Sequence, residues 1–339
     1  MKEISLSSII QSLLTPGKGI LAADESFPTI ERRFKEFAIP STTANRCAYR
    51  EMLFATPGVN EFISGAILFD ETLRQQTSTG IPFPEALARQ GIVPGIKVDL
   101  GAVAMAGFAS EKITQGLDGL RERLAEYREL GARFTKWRAV IKIGDQIPTR
   151  TCIEANAEAL AQFAALSQEA GLVPIVEPEV LMDGSHPLAR CEEVITVTLI
   201  QVFESLFAHK VALEGMLLKT GMVLSGKDCP TQGETAEVAE ATVRTLLRAV
   251  PAAVPGIVFL SGGQSEQAAT ERLNAISTAG NLPWKLTFSY GRALQDSALK
   301  TWGGSAENVN AAQAMLKHRA KCNSLATLGK YSTAAEAGP

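Results

Sequence analysis

Short apolar runs alternate along the chain with longer stretches whose apolar residues recur at helical spacing. Eight runs read as strands, near 19–24, 62–70, 92–99, 133–143, 172–180, 214–223, 256–262 and 285–293. Most are nearly continuous in apolar residues, the pattern of parallel strands covered on both faces. The intervening stretches read as helices. Residues 42–54 follow Ser41, a good N-cap. Residues 117–130 carry Leu117, Leu120, Leu124, Tyr127 and Leu130 on one face and stop at Gly131, and 152–170 end before Gly171 in the same way. Residues 186–207, 233–249, 265–277 and 306–328 complete the series, and the opening MKEISLSSIIQSLL reads as a short amphipathic helix. No repeat, low-complexity segment or linker divides the chain. Eight alternations predict an α/β fold, a (β/α)8 TIM barrel over 1–339, with an extra N-terminal helix, a C-terminal helix and a loose tail at 331–339. A doubly wound open sheet is the competing architecture, but no G-x-G-x-x-G turn follows the first strand.

Composition narrows the function. A 46% hydrophobic content with 20% charged residues is that of a globular protein with ample core. A net charge of −3 favours neither nucleic acid nor a membrane surface as partner, and no apolar run is long enough to span a bilayer. The N-terminus lacks the charged region, apolar core and cleavage site of a signal peptide, which predicts a cytoplasmic protein, or a plastid stroma one had a transit peptide been removed. Five cysteines (Cys47, Cys152, Cys191, Cys229, Cys322) are scattered without a C-x-x-C pair, as suits a reducing compartment. The three histidines, His186, His209 and His318, are equally dispersed, so neither a catalytic metal nor a cofactor is expected.

Polar residues at strand ends carry the candidate chemistry. Lys219 ends the sixth run, and a lysine at the end of a buried strand is either paired or pushed toward the neutral amine, a nucleophile toward carbonyls. A lysine snorkelling into solvent is the competing reading. In a barrel the active site lies at the C-terminal ends of the strands. There stand Asp24 after the first run, Lys97 and Asp99 after the third, Glu177 and Glu179 in the fifth, Ser261 in the seventh and Arg292 after the eighth. In the fourth run Lys136, Arg138 and Lys142 share one face and Thr135, Trp137 and Ile141 the other. Such cations cannot face an apolar helical layer, so they are expected inside the barrel with Glu177, Glu179 and Asp24 as partners. A purely structural ion-pair network is the alternative.

A second theme is phosphate. Ser261-Gly262-Gly263-Gln264-Ser265 follows the seventh run, and Ser289-Tyr290-Gly291-Arg292 closes the eighth. Loops in these two positions form the usual barrel phosphate cradle, and Arg292 offers a fork-shaped cation. Ser26, Thr29, Arg33 and Lys97 could hold another anionic group across the mouth, with a solvated basic rim as the competing reading.

Together GILAADES, GIKVD, KWRAVIKI, PIVEPEV, LEGMLLK, FLSGGQSE and LTFSYGRALQ resemble the class I fructose-1,6-bisphosphate aldolases, in the family's order and over about Pro16 to Lys330. The resemblance implies metal-independent cleavage of fructose 1,6-bisphosphate to dihydroxyacetone phosphate and glyceraldehyde 3-phosphate through a lysine Schiff base. It implies that Lys219 forms the imine and Glu177 moves its protons. Asp24 would take the hydroxyl proton with Lys136 beside it, Glu179 would orient Lys219, and Arg138 would contact substrate. One phosphate would sit on Ser261, Gly262, Gly263, Ser289, Gly291 and Arg292. The far phosphate would meet Ser26, Arg33, Lys97 and Arg46, with Thr29 where the family usually has serine. Phosphorylated sugars are the implied partners, and a homotetramer the implied assembly. Two departures stand out. Thr220-Gly221 replaces the family's proline and small polar residue after the lysine, and the chain ends YSTAAEAGP rather than in the tyrosine that enters the site in relatives. Two other readings remain: a Schiff-base barrel for another phosphorylated ketose such as sedoheptulose 1,7-bisphosphate, or a barrel serving mainly as a scaffold.

Overall fold

Eight parallel strands close into a barrel in a computed structural model that describes residues 5–338. They are β1 (Gly19–Ala23), β2 (Ile63–Leu68), β3 (Val93–Lys97), β4 (Phe134–Ile141), β5 (Val173–Val180), β6 (Leu217–Thr220), β7 (Gly256–Phe259) and β8 (Lys285–Tyr290). Each pairs with its sequence neighbours, and β8 returns to β1. The α/β barrel architecture of the sequence reading is therefore present.

Helices wrap the barrel: α1 (Leu6–Leu13), α2 (Phe27–Lys35), α3 (Thr43–Phe54), α4 (Asp70–Leu73), α5 (Phe83–Arg89) and α6 (Leu120–Glu129) in the first half. The second half adds α7 (Arg150–Glu169), α8 (Leu188–Ala208), α9 (Thr235–Ala249), α10 (Glu266–Ser277), α11 (Arg292–Trp302) and α12 (Val309–Thr327). The long helices are those the apolar spacing predicts. The short α4 and α5 and an antiparallel ribbon (Gly101–Ala104 with Lys112–Gln115) have too few turns or too little alternation to leave a periodic signal. Helices α2 and α11 do carry one, Ile30 and Phe34 in the first and Leu294, Ala298 and Trp302 in the second, that the sequence reading passed over.

The apolar runs overshoot the strands at the mouth. Residues 214–223 hold only four strand residues, preceded by a 3-10 turn at Leu213–Gly215. The 285–293 run ends as a strand at Tyr290, and Arg292 already opens α11. The reason is general: past the last ladder bond the chain turns outward into a βα loop, and apolar content does not mark that point.

Alternation decides what faces inward. Ile20, Ile67, Phe134, Val173, Ile175 and Leu217 form an interior cluster with Ile9, Ile10, Leu13 and Leu14 from the N-terminal segment. Helix α1 thus plugs the barrel floor. At Gly65 and Gly256 an added Cβ would come within 2.6 Å of the Leu13 and Leu14 side chains, so only glycine admits the plug this closely. The opposite parity points outward: Trp137 stacks on Phe163 of α7, and the Tyr290 hydroxyl donates to the Ala269 carbonyl of α10.

The tail corrects an expectation. Instead of hanging loose beyond Tyr331, it folds back on α10 and α12. Tyr331 is buried, its backbone N–H donates to Asn274 Oδ1, and its hydroxyl donates to Glu336 Oε1 at 2.7 Å. Arg319 pairs with the other Glu336 oxygen. A buried ring and an ion pair anchor a segment whose composition alone suggests none.

Candidate active site

The inward parity that fills the floor with aliphatic side chains continues upward into charges. On β4 it runs Phe134, Lys136, Arg138; on β5 Val173, Ile175, Glu177, Glu179; on β6 Leu217, Lys219. One turn of the barrel above the apolar layer, four charged groups meet. Lys136 Nζ lies 2.6 Å from Asp24 Oδ2 and 3.3 Å from Glu177 Oε2, and Lys219 Nζ lies 3.1 Å from Glu177 Oε1. Glu177 therefore bridges the two lysines. Its Oε2 is buried and is held by the charge of Lys136 without an aligned hydrogen bond.

All four side chains are largely buried, Lys219 at 4% exposure and Glu177 at 3%. Charges in such a place are costly unless paired. Burial alone would raise the Asp24 carboxyl, but the ammonium groups of Lys136, Lys219 and Lys97 overcome it and hold it at about 2. Burial likewise opposes the Lys136 charge, yet Asp24, Glu177 and Asp99 raise its pKa above the ordinary lysine value. Glu177 is lowered too, with burial opposing and Lys136, Lys219 and Arg138 prevailing. The cluster is held ionised by its own mixture of signs.

Several expected roles meet different partners. Glu179 pairs with Arg138 across the β4–β5 ladder, and the carboxylate that pairs with Lys219 is Glu177. Lys142 lies past the end of β4 and is exposed. Arg33 is buried and engaged by Glu25, Gln295 and Asp296. Arg46 is held by Glu71 and the Ser41 carbonyl, and Lys97 by Asp99 at 2.6 Å. These three cations arrive already neutralised. Ser26 and Thr29 are brought together, with hydroxyls 3.2 Å apart at the N-terminus of α2, and the Ser26 side chain does not cap the helix.

The loops after β7 and β8 do converge. Gly262 (φ 61°) and Gly263 (φ 94°) adopt left-handed conformations, and Ser265 caps α10 by accepting from the Ala268 N–H. A Cβ on Gly263 would lie 3.4 Å from the Arg292 guanidinium, so that cation sits against the glycine turn. Gly291 caps α11, and the buried Ser289 hydroxyl has no hydrogen-bond partner. Sequence reasoning missed Glu25, which pairs with both Arg33 and Arg50 and tethers the loop following Asp24. It also missed Gln295, which donates to the Ala22 carbonyl and accepts from Arg33 and Tyr49. The two lie 270 positions apart in the chain, and nothing local marks them as partners.

A closed parallel barrel with its charges gathered at the C-terminal ends of the strands is the arrangement of a TIM-barrel enzyme. Comparison with known proteins makes the class specific. The family model described as fructose-bisphosphate aldolase class-I matches residues 5–338. A protein of Xanthomonas campestris pv. campestris named "Probable fructose-bisphosphate aldolase class 1" is 56% identical, covering 96% of this chain and 98% of its own. "Fructose-bisphosphate aldolase 4, cytosolic" of Arabidopsis thaliana is 54% identical over 96% of this chain and 83% of its own. The solved fructose-bisphosphate aldolase of Plasmodium falciparum, in complex with TRAP and a small-molecule inhibitor, superposes with a TM-score of 0.95 at 51% identity, covering 96% of this chain and 95% of that one. The chain belongs to the class I fructose-bisphosphate aldolase family. Its activity is that of a fructose-bisphosphate lyase, and the alternative of another preferred ketose is not favoured.

Proposed function

We propose that Lys219, Glu177, Asp24 and Lys136 carry out the aldol cleavage in the following roles. Lys219 passes a proton to Glu177 and attacks the C2 carbonyl of fructose 1,6-bisphosphate. Glu177 returns a proton to the departing hydroxyl, so water leaves and a protonated imine remains. Asp24, ionised at neutral pH, removes the C4 hydroxyl proton. The C3–C4 bond then breaks, its electron pair flows into the imine, and glyceraldehyde 3-phosphate departs. Protonation of the enamine at C3 and hydrolysis release dihydroxyacetone phosphate. Lys136 keeps Asp24 charged and placed. The observation that carries this reading is the Glu177 bridge, with one oxygen 3.1 Å from the Lys219 amine and the other 3.3 Å from Lys136, which itself holds Asp24.

Gly262, Gly263, Ser261, Ser289, Gly291 and Arg292 bind the ketose-side phosphate in this reading, through backbone N–H groups, the unpartnered hydroxyl and the guanidinium. Ser26 and Thr29 take the far phosphate, with Lys97 reaching it by leaving Asp99. Arg33 and Arg46 support that wall through Glu25 and Glu71 rather than by touching the phosphate. The whole chain acts as one domain, the assembly is a homotetramer by family resemblance, and the location is cytoplasmic, as the name of the Arabidopsis relative states for that protein. No helix among the described residues is long and apolar enough to cross a membrane.

Borohydride added with dihydroxyacetone phosphate tests the scheme: the imine is reduced, and peptide mapping should find the adduct on Lys219. An adduct on Lys136, or none at all, would overturn it.

A further inference from the structure

We infer that the C-terminal tail carries a zinc-type cation site, built from His318 and Cys322 of α12 and Glu336 of the returning tail. His318 and Cys322 are four residues apart on one helix, so their side chains lie on the same face. His318 Nε2 and Cys322 Sγ are 3.7 Å apart. Tetrahedral zinc, with bonds of about 2.1 Å to nitrogen and about 2.3 Å to sulfur, holds such atoms about 3.6 Å apart. Glu336, on the 3-10 turn Thr333–Glu336, adds a carboxylate, and the three ligand atoms all lie within 4.8 Å of one another. Among the described residues no other His, Cys and carboxylate group converges in this way.

The surroundings supply what such a site needs beyond its ligands. Glu336 is already oriented from both oxygens, one accepting from the Tyr331 hydroxyl and the other paired with Arg319. Arg319 in turn donates to Thr270 Oγ1 at 2.6 Å and to the Glu266 carbonyl at 3.1 Å, both on α10. A coordinating carboxylate is typically held by an outer partner like this. One oxygen can turn to the cation while the other keeps Arg319. The Cys322 thiol donates to the Ala335 carbonyl at 3.5 Å, so its sulfur already points at the tail. On binding, the thiol proton is released to solvent and the cation takes its place. Cys322 is buried while His318 and Glu336 are partly exposed, which gives the ion an entry path and leaves a fourth position for water. Nitrogen, sulfur and one oxygen favour zinc-like ions over magnesium or calcium, which prefer all-oxygen sets. Bound there, the ion cross-links the tail to α12 on the outer flank of the barrel, away from the Lys219 cluster.

Cobalt(II), titrated into the reduced, chelator-treated full-length protein, tests the site. The expected result is stoichiometric binding with a thiolate-to-cobalt charge-transfer absorption that zinc displaces. Cys322→Ser should abolish that absorption. His318→Gln and Glu336→Gln, checked for folding by circular dichroism, should each weaken binding at least about tenfold, the scale at which even outer partners matter. The proposal is overturned if no charge-transfer absorption develops, if it survives Cys322→Ser, or if the other two substitutions leave the affinity unchanged.

Discussion

The floor and the mouth of the barrel are built from the same strands and differ in everything their side chains do. At the floor, Phe134, Ile175 and Leu217 close on Leu13 and Leu14 and exclude water. Two residues further along each strand, Lys136, Glu177 and Lys219 meet at 2.6 to 3.3 Å together with Asp24. Buried apolar area stabilises the first region directly. The second pays heavy desolvation for its charges and recovers it only through mutual pairing. One barrel can therefore place its apolar and its charged side chains in separate layers, with the helical plug at one end and the ion pairs at the other.

Substitutions can break that division. The largest expected effect is at the mouth: Glu177→Gln should lower kcat by about 10²–10⁴-fold, the worth of a positioned proton-transfer group. Circular dichroism should show the fold intact. Activity close to that of the unaltered protein would mean that the bridge between the lysines is structural only.

Leu13→Ala should act in the opposite sense. It opens a cavity against Gly65 in the floor and should cost about 2–5 kcal/mol of unfolding stability, measured by denaturant titration. The kcat of the folded enzyme should not change. A kcat loss matching that of Glu177→Gln would show that the two layers are not separable.

The smallest effect sharpens the comparison through pH. Asp24 titrates at about 2 in the folded chain against an ordinary 3.8, so its contribution to stability is complete above about pH 4. It is lost as the pH falls from there through about 2, and the size is about 2 kcal/mol. The unaltered protein should therefore lose about that much more stability than Asp24→Asn over this window. Parallel acid profiles for the two proteins would remove the ion-pair account of the mouth.

How much of this was legible beforehand depends on the range over which each feature is decided. Strand parity and helical spacing are local, and they placed Lys136, Glu177 and Lys219 inside the barrel and Trp137 outside it. The strand ends were read too long, as at 285–293, because the point where a chain leaves a ladder depends on its neighbour's hydrogen bonds rather than on its own apolarity. The glycine turns Gly262-Gly263 and Gly291-Arg292 were visible because positive φ and helix caps leave residue-type signatures.

By itself, the sequence determined the eightfold alternation, the inward charges, the candidate lysine at the end of its strand and the family motifs, since each is written within a few consecutive residues. Only the tertiary structure decided the pairings: Glu177 with Lys219 rather than Glu179, Glu25 between Arg33 and Arg50, and Glu336 folded back onto Arg319 beside His318 and Cys322. A carboxylate and a cation form an ion pair only when the fold brings them within about 4 Å. Which pair meets there is set by how distant strands and helices pack, and no short stretch of chain contains that information.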